Sequence, residues 1–178
     1  MKLILTNVRL SFPSIWEFAQ YKGKSQDRFE ATFLVEKGTE QAKAVQDAVK
    51  SVGAAKFGEK WAQAGLPLHD GDKKDYEGYA GHWSLKAATK KRPVILDRDK
   101  SVLQEQDGRP YAGCYVNASV TLSAYTNDYG DFISCQLNGI QFARDGDAFG
   151  GGEGYSDDDF GAVDSGDNLV GDAERVPF

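Results

Sequence analysis

CYVNASVTLSAY, residues 114–125, alternates without a break. Cys114, Val116, Ala118, Val120, Leu122 and Ala124 fall on one side of an extended chain, and Tyr115, Asn117, Ser119, Thr121, Ser123 and Tyr125 on the other. Successive side chains of a strand point to opposite faces, so the stretch predicts one long strand with an apolar face against a core. A turn at Gln106-Asp107-Gly108-Arg109-Pro110 leads into it. The turn NDYGD, 127–131, joins it to a last strand holding Ile133, Cys135 and Leu137, then Ile140 and Phe142. The change of phase around Gly139 predicts a bulge.

The same reading extends toward the N-terminus. Residues 2–12 alternate, with Ile4, Thr6, Val8, Leu10 and Phe12 on one face and Leu3, Leu5, Asn7, Arg9 and Ser11 on the other. A second strand, RFEATFLVE at 28–36, gathers Phe29, Ala31, Phe33 and Val35. Thr39 then opens a segment with Ala42, Val45, Ala48, Val49 and Val52 at three- and four-residue spacing, which predicts an amphipathic helix capped at Thr39 and fading near Gly53. FGEKWAQAG, 57–65, fits one short helical turn, with Trp61 packing a helix against the barrel, and the run to Gly81 is loop chemistry. Strand signals return at HWSLKAA, 82–88, and RPVILD, 92–97.

The predicted fold is therefore mainly β. Five or six strands of mixed length, one amphipathic helix between early strands and long Gly-rich loops specify a small OB-like β-barrel. A β-sandwich fits the strand count, but the helix after the second strand counts against it.

Charge divides the chain. Residues 145–178 carry ten acids against Arg175, a net −9, and eight of those 34 residues are Gly; residues 1–144 carry 20 Lys+Arg against 17 Asp+Glu, a net +3. The division predicts a mildly basic domain over 1–144 and a disordered acidic tail over 145–178 that can fold back electrostatically onto the body. No run of eighteen apolar residues and no signal-peptide cleavage region occurs, so a soluble, cytoplasmic protein without membrane contact is expected. Cys114 and Cys135 sit among apolar neighbours and read as buried hydrophobes, not as a disulfide framework.

Enzyme chemistry finds little footing. The two histidines, His69 and His82, come with no C-x-x-C or H-E-x-x-H spacing. Asp70-Gly71-Asp72 meets Lys74 and Gly81 where a calcium loop needs its fifth and twelfth ligands. GGGEGYSD is a single unrepeated copy of a β-roll pattern and reads as flexible linker. Body carboxylates do not cluster in spacing as a nuclease would require. No metal, cofactor or catalytic residue is expected.

Binding to single-stranded nucleic acid is the class that the residues favour. It needs flat rings for bases and cations for phosphates. Trp16, Tyr21, Lys22, Lys24 and Arg28 lie together before the second strand; Lys86, Lys90, Lys91 and Arg92 follow Trp83; Tyr115 and Tyr125 project from the outward face of the longest strand, with Tyr129 and Phe132 at the next turn. Trp83 shares parity with Leu85 and Ala87 and reads as core. The outward tyrosines require a cover, which either DNA or the 56–81 loop could supply. A protein-binding accessory of the recombinase-loader type is the alternative function.

The chain ends DAERVPF. Asp172, Glu174, Val176, Pro177 and Phe178 resemble the C-terminal tip of bacterial single-stranded-DNA-binding proteins, acids followed by I-P-F, with Arg175 a departure. In the body, NVRLSFP, RFEATFLVEK, PLHDGD with YEGYAGHW, RPVILD and YAGCYVNA together resemble a family of bacteriophage single-stranded-DNA-binding proteins with an OB-fold, over roughly residues 5–146. That resemblance implies a non-enzymatic replication or recombination protein acting in the host cytoplasm. Its partners would be single-stranded DNA and, through Phe178 and its carboxylate, replication or recombination proteins; a homo-oligomer is compatible.

Overall fold

The computed structural model describes residues 1–150. Its strands are β1 (Lys2–Ser14), β2 (Gln20–Tyr21), β3 (Lys24–Ser25), β4 (Phe29–Glu36), β5 (Leu68–Asp70), β6 (His82–Thr89), β7 (Val94–Leu96), β8 (Tyr115–Asn127) and β9 (Gly130–Arg144), and one helix, α1 (Glu40–Phe57), lies between β4 and β5. β1 pairs antiparallel with β4 on one side and β8 on the other, β4 pairs with β6, and β8 with β9. A parallel bridge between Ala88 of β6 and Gln136 of β9 joins the two ends. The result is a closed five-stranded barrel of OB-like topology. β5 adds to β6, and β7 runs parallel to β9.

The barrel closes because every strand contributes an apolar stripe to one interior. Phe33, Leu85, Leu122, Leu137 and Val116 are among the largest fully buried side chains, and burying each such side chain stabilises by about 1.5–3 kcal/mol. The stripe from Cys114, just before β8, to Leu122 is buried at every second residue, and the β8–β9 pairing shifts register between Ser119 and Val120, opposite Gly139 and Leu137. α1 lays Ala42, Val45, Ala48 and Val49 on the barrel. Thr39 caps it, its side-chain oxygen accepting from the Ala42 amide at 3.1 Å, an interaction of about 1 kcal/mol.

Four local expectations are corrected. The β1 faces are not those of strict alternation: Leu5, Val8, Leu10 and Ser11 are buried, whereas Ile4, Thr6 and Phe12 are exposed. The register breaks between Leu5 and Val8 and again between Ser11 and Ser14, where Asn7 and Phe12 adopt positive φ. Each bulge inserts one residue and flips the side chains beyond it to the other face. Second, α1 continues through Gly53 to Phe57; that glycine is buried against Ile133 and Trp61 of the following 3-10 turn, Gly58–Gln63. Third, the loop before Gly81 contains β5. Fourth, residues 145–150, assigned from sequence to the tail, pack on the body. Tyr111 Oη donates to Asp145 at 2.7 Å, and the Phe149 amide donates to the Ala112 carbonyl at 3.0 Å. The remainder of the tail lies outside the described residues.

Candidate nucleic-acid interface

The β1–β4 connection and the β8–β9 turn stand as two walls beside the outer face of β6. Between them lies a cleft of about 1040 Å³, lined by Gln26, Asp27 and Arg28 from the first wall, Tyr125 and Phe132 to Gln136 from the second, and Lys86, Ala88 and Thr89 of β6 with Lys90 and Lys91 just beyond it. A second cleft of about 470 Å³ continues over β4 and β1, lined by Tyr21, Glu30, Thr32, Lys74, Tyr76, Tyr79 and Phe12 among others. Gln26, Arg28, His69 and Lys86 border both. The two clefts form one groove with a neck at those four residues.

Alternation explains the neck's chemistry. Along β4, Ala31 and Phe33 point inward, so Glu30 and Thr32 form the groove floor; along β6, Leu85 and Ala87 point inward and Lys86 outward. Lys86 Nζ lies 2.9 Å from Glu30 Oε2, and Arg28 Nε 3.0 Å from Glu30 Oε1. Burial pushes the Glu30 carboxyl up, but the Lys86 and Arg28 hydrogen bonds and charges outweigh it and hold it below its ordinary value. Burial, with Lys74 and Lys86 nearby, holds His69 below its ordinary value. Lys90 and Lys91 extend the positive lining.

Aromatic rings stand at both ends. Tyr125 stacks on Phe132 with centroids 5.4 Å apart and planes 22° from parallel. Phe132 is backed by Gly65, whose amide donates to Asp131 O and whose carbonyl accepts from Ile133 N. Tyr125 remains 42% exposed. At the other end Phe12 and Tyr76, 58% and 53% exposed, meet edge to face at 5.0 Å over the buried Tyr79. Tyr79 is fixed by a 2.9 Å hydrogen bond between its hydroxyl and Ser11 Oγ.

Of the residues singled out from sequence, the groove brings together Tyr21, Arg28, Lys86, Lys90, Lys91, Tyr125 and Phe132. Lys22 and Lys24 stand beside Tyr21 on the β2–β3 hairpin, exposed. Tyr129 is 90% exposed at the tip of the β8–β9 turn. Trp16 is half-buried against the core, and its carbonyl accepts from Arg92 Nη2 at 2.9 Å. Tyr115 is separated from the groove: it lines another pocket with Arg9 and Arg144, the Arg144 guanidinium 3.7 Å from its ring centroid. These arginines cover one face of Tyr115 and Phe132 one face of Tyr125; the 56–81 loop meets the strand pair at Gly65, which lies against Phe132. Asp172, Glu174, Val176, Pro177 and Phe178 lie outside the described residues.

Sequence reasoning missed Phe12, Tyr76, Tyr79, Lys74 and His69. Phe12 was hidden by its bulge, and the other four by a loop with no period from which a facing direction could be read. The cysteines stay inside: burial pushes the Cys114 thiol up to about 11 and Cys135 to about 12. Among the described residues no three or more His, Cys, Asp or Glu gather as a metal site, and no helix is long and apolar enough to cross a membrane.

A closed five-stranded barrel with a basic, ring-flanked groove across its second and third strands belongs to the OB-like class of oligonucleotide and oligosaccharide binders. Known proteins narrow this. The family model described as Enterobacter phage Enc34, ssDNA-binding protein, matches residues 1–170. Protein p50 of Acyrthosiphon pisum secondary endosymbiont phage 1 is 42% identical over 175 residues, covering 90% of this chain and 92% of that protein. The chain belongs to the Enc34 phage single-stranded-DNA-binding protein family. Its fold is similar to that of the single-stranded DNA-binding protein from bacteriophage Enc34 in complex with ssDNA, with a TM-score of 0.74, 23% identity and coverage of 84% of this chain and 89% of that one. It is also similar to gp2.5, a single-stranded DNA-binding protein encoded by bacteriophage T7, with a TM-score of 0.54, 11% identity and coverage of 80% and 91%.

Proposed function

We propose that this protein binds single-stranded DNA without sequence preference in phage replication and recombination, through the groove over β4 and β6. The observation that carries the reading is the continuity of the two clefts through Arg28 and Lys86, with exposed rings at each end. Bases stack on Tyr125 at one end and on Phe12 and Tyr76 at the other; Lys90, Lys91 and Lys74 take phosphates and release counterions. The mechanism needs no bond to be made or broken. Family membership supports the same substrate.

The acidic tail has two further parts in this reading. It competes for the basic groove, and its tip, Asp172, Glu174, Val176, Pro177 and Phe178, recruits host or phage replication proteins in the host cytoplasm. In support, the Gly150 amide donates to Glu77 Oε2 at 3.2 Å, so the last described residue before the acidic stretch is held beside the turn that carries Tyr76. Replacing both Lys90 and Lys91 by Ala tests the groove. Oligo-dT affinity should fall and the slope of log K against log salt should flatten by about 1.4, at about 0.7 for each lost phosphate contact; an unchanged slope would move the phosphate path elsewhere.

A further inference from the structure

Residues 145–150 end on the turn that carries Tyr76 and Tyr79. The Phe149 ring lies against Gly78: a Cβ on Gly78 would stand 2.5 Å from Phe149 Cζ and 2.7 Å from Cε1. Only a residue without a side chain permits that approach, and its φ of +84° favours glycine as well. The ring also faces the Arg9 guanidinium, 4.2 Å from the centroid, and Arg9 Nη1 stands 3.5 Å from the same Cβ position on Gly78. Arg9 is itself held, Nε donating to Gly113 O at 2.9 Å and Nη2 to Asp147 O at 2.7 Å. Gly113 is in turn so close to Asp147 and Ala148 that a Cβ there would collide with their backbone. The segment is thus built into the body by ring, guanidinium and backbone together.

We infer that Phe149 and Arg9 are positioning residues for DNA binding: through Gly78 they hold the 76–79 turn so that Tyr76 is presented in the groove. The inference rests on the groove reading above. The turn is pinned at Tyr79, which hydrogen-bonds Ser11 and whose amide donates to Tyr76 O, so what Phe149 and Arg9 add acts on the side chain of Tyr76. Its ring is more than half exposed and touches only Phe12 and Tyr79 edge-on among the described aromatic pairs. A platform that must be ordered on binding loses affinity by the cost of that ordering, and a preorganised one does not.

The test combines Phe149→Ala, Phe149→Leu and Tyr76→Ala in the full-length chain. In free protein, hydrogen exchange at residues 76–80 should accelerate in Phe149→Ala and less so in Phe149→Leu, with exchange in β8 unchanged. Oligo-dT affinity should fall about threefold to tenfold in Phe149→Ala, a fraction of what a stacked ring contributes, with an unaltered salt slope because no groove cation is lost. In the Tyr76→Ala background the same substitution should have no further effect on affinity, since the two act through one ring. Unchanged exchange at 76–80, or an equal loss of affinity with and without Tyr76, would overturn the inference. Failure of the wild type to bind oligo-dT would instead sink the groove reading, and the exchange measurement would still decide whether Phe149 holds the turn.

Discussion

Glu30 lies on the floor of a groove proposed for a polyanion, and it makes ion pairs with two of the groove's cations. Its carboxyl ionises more readily folded than unfolded. Its pairs therefore stabilise the native state above the unfolded carboxyl's titration, about 4.3, and that contribution is lost as pH falls through the lower folded value. Between about pH 6 and pH 3 the wild type should lose more stability than Glu30→Gln, measured by denaturant unfolding; parallel losses would mean that the carboxylate is not held by Arg28 and Lys86. The two outward tyrosines of β8 should also part company. Tyr125→Ala should weaken oligo-dT binding by about 1–3 kcal/mol, whereas Tyr115→Ala, removing a ring packed beneath Arg144, should lower the melting temperature and leave DNA affinity near wild type. An affinity loss confined to Tyr115→Ala would reverse the assignment.

Strands and the helix were legible where their period was unbroken, and facing directions failed where one residue broke it. In β8 the alternation in sequence is the alternation in burial, and in β4 the predicted face of Phe29, Ala31, Phe33 and Val35 is buried, with Thr32 and Leu34 covered on the other side as well. In β1 two residues at positive φ, Asn7 and Phe12, shift the phase, and nothing in NVRLSFP distinguishes a bulged Phe12 from an inward one. The groove was half legible for the same reason: its cations and the Tyr125–Phe132 pair sit on or beside regular strands, while Tyr76, Tyr79 and His69 come from the aperiodic 64–81 segment. That segment is held by close approach instead. Gly71 is buried, and a Cβ there would strike the carbonyls of Tyr79 and His82. Lys37 ties it to β4 by ion pairs with Asp70 and Asp72. Gly71→Ala should therefore cost about 2 kcal/mol or more in denaturant unfolding, although alanine is ordinarily tolerated in surface turns; an unperturbed midpoint would show that the loop can move aside freely.

The body and the tail carry opposite charge, and the account of the entire chain depends on their opposition. Deleting residues 151–178 removes eight acids and Arg175, so oligo-dT affinity should rise, most at low salt, where fields are least screened. Deleting Phe178 alone leaves a carboxylate at Pro177 and should hardly alter DNA binding, yet it should abolish capture of replication proteins in pull-downs if the terminal ring is the anchor. Neither outcome matters unless the groove itself binds single strands. Titration of labelled oligo-dT and of a duplex of equal length, across a series of salt concentrations, measures that. Tight binding to the single strand, far weaker binding to the duplex, and a log–log salt slope of roughly −3 for about four phosphates are expected. Equal affinity for both, or a flat salt response, would contradict the assignment of a single-stranded-DNA groove over β4 and β6.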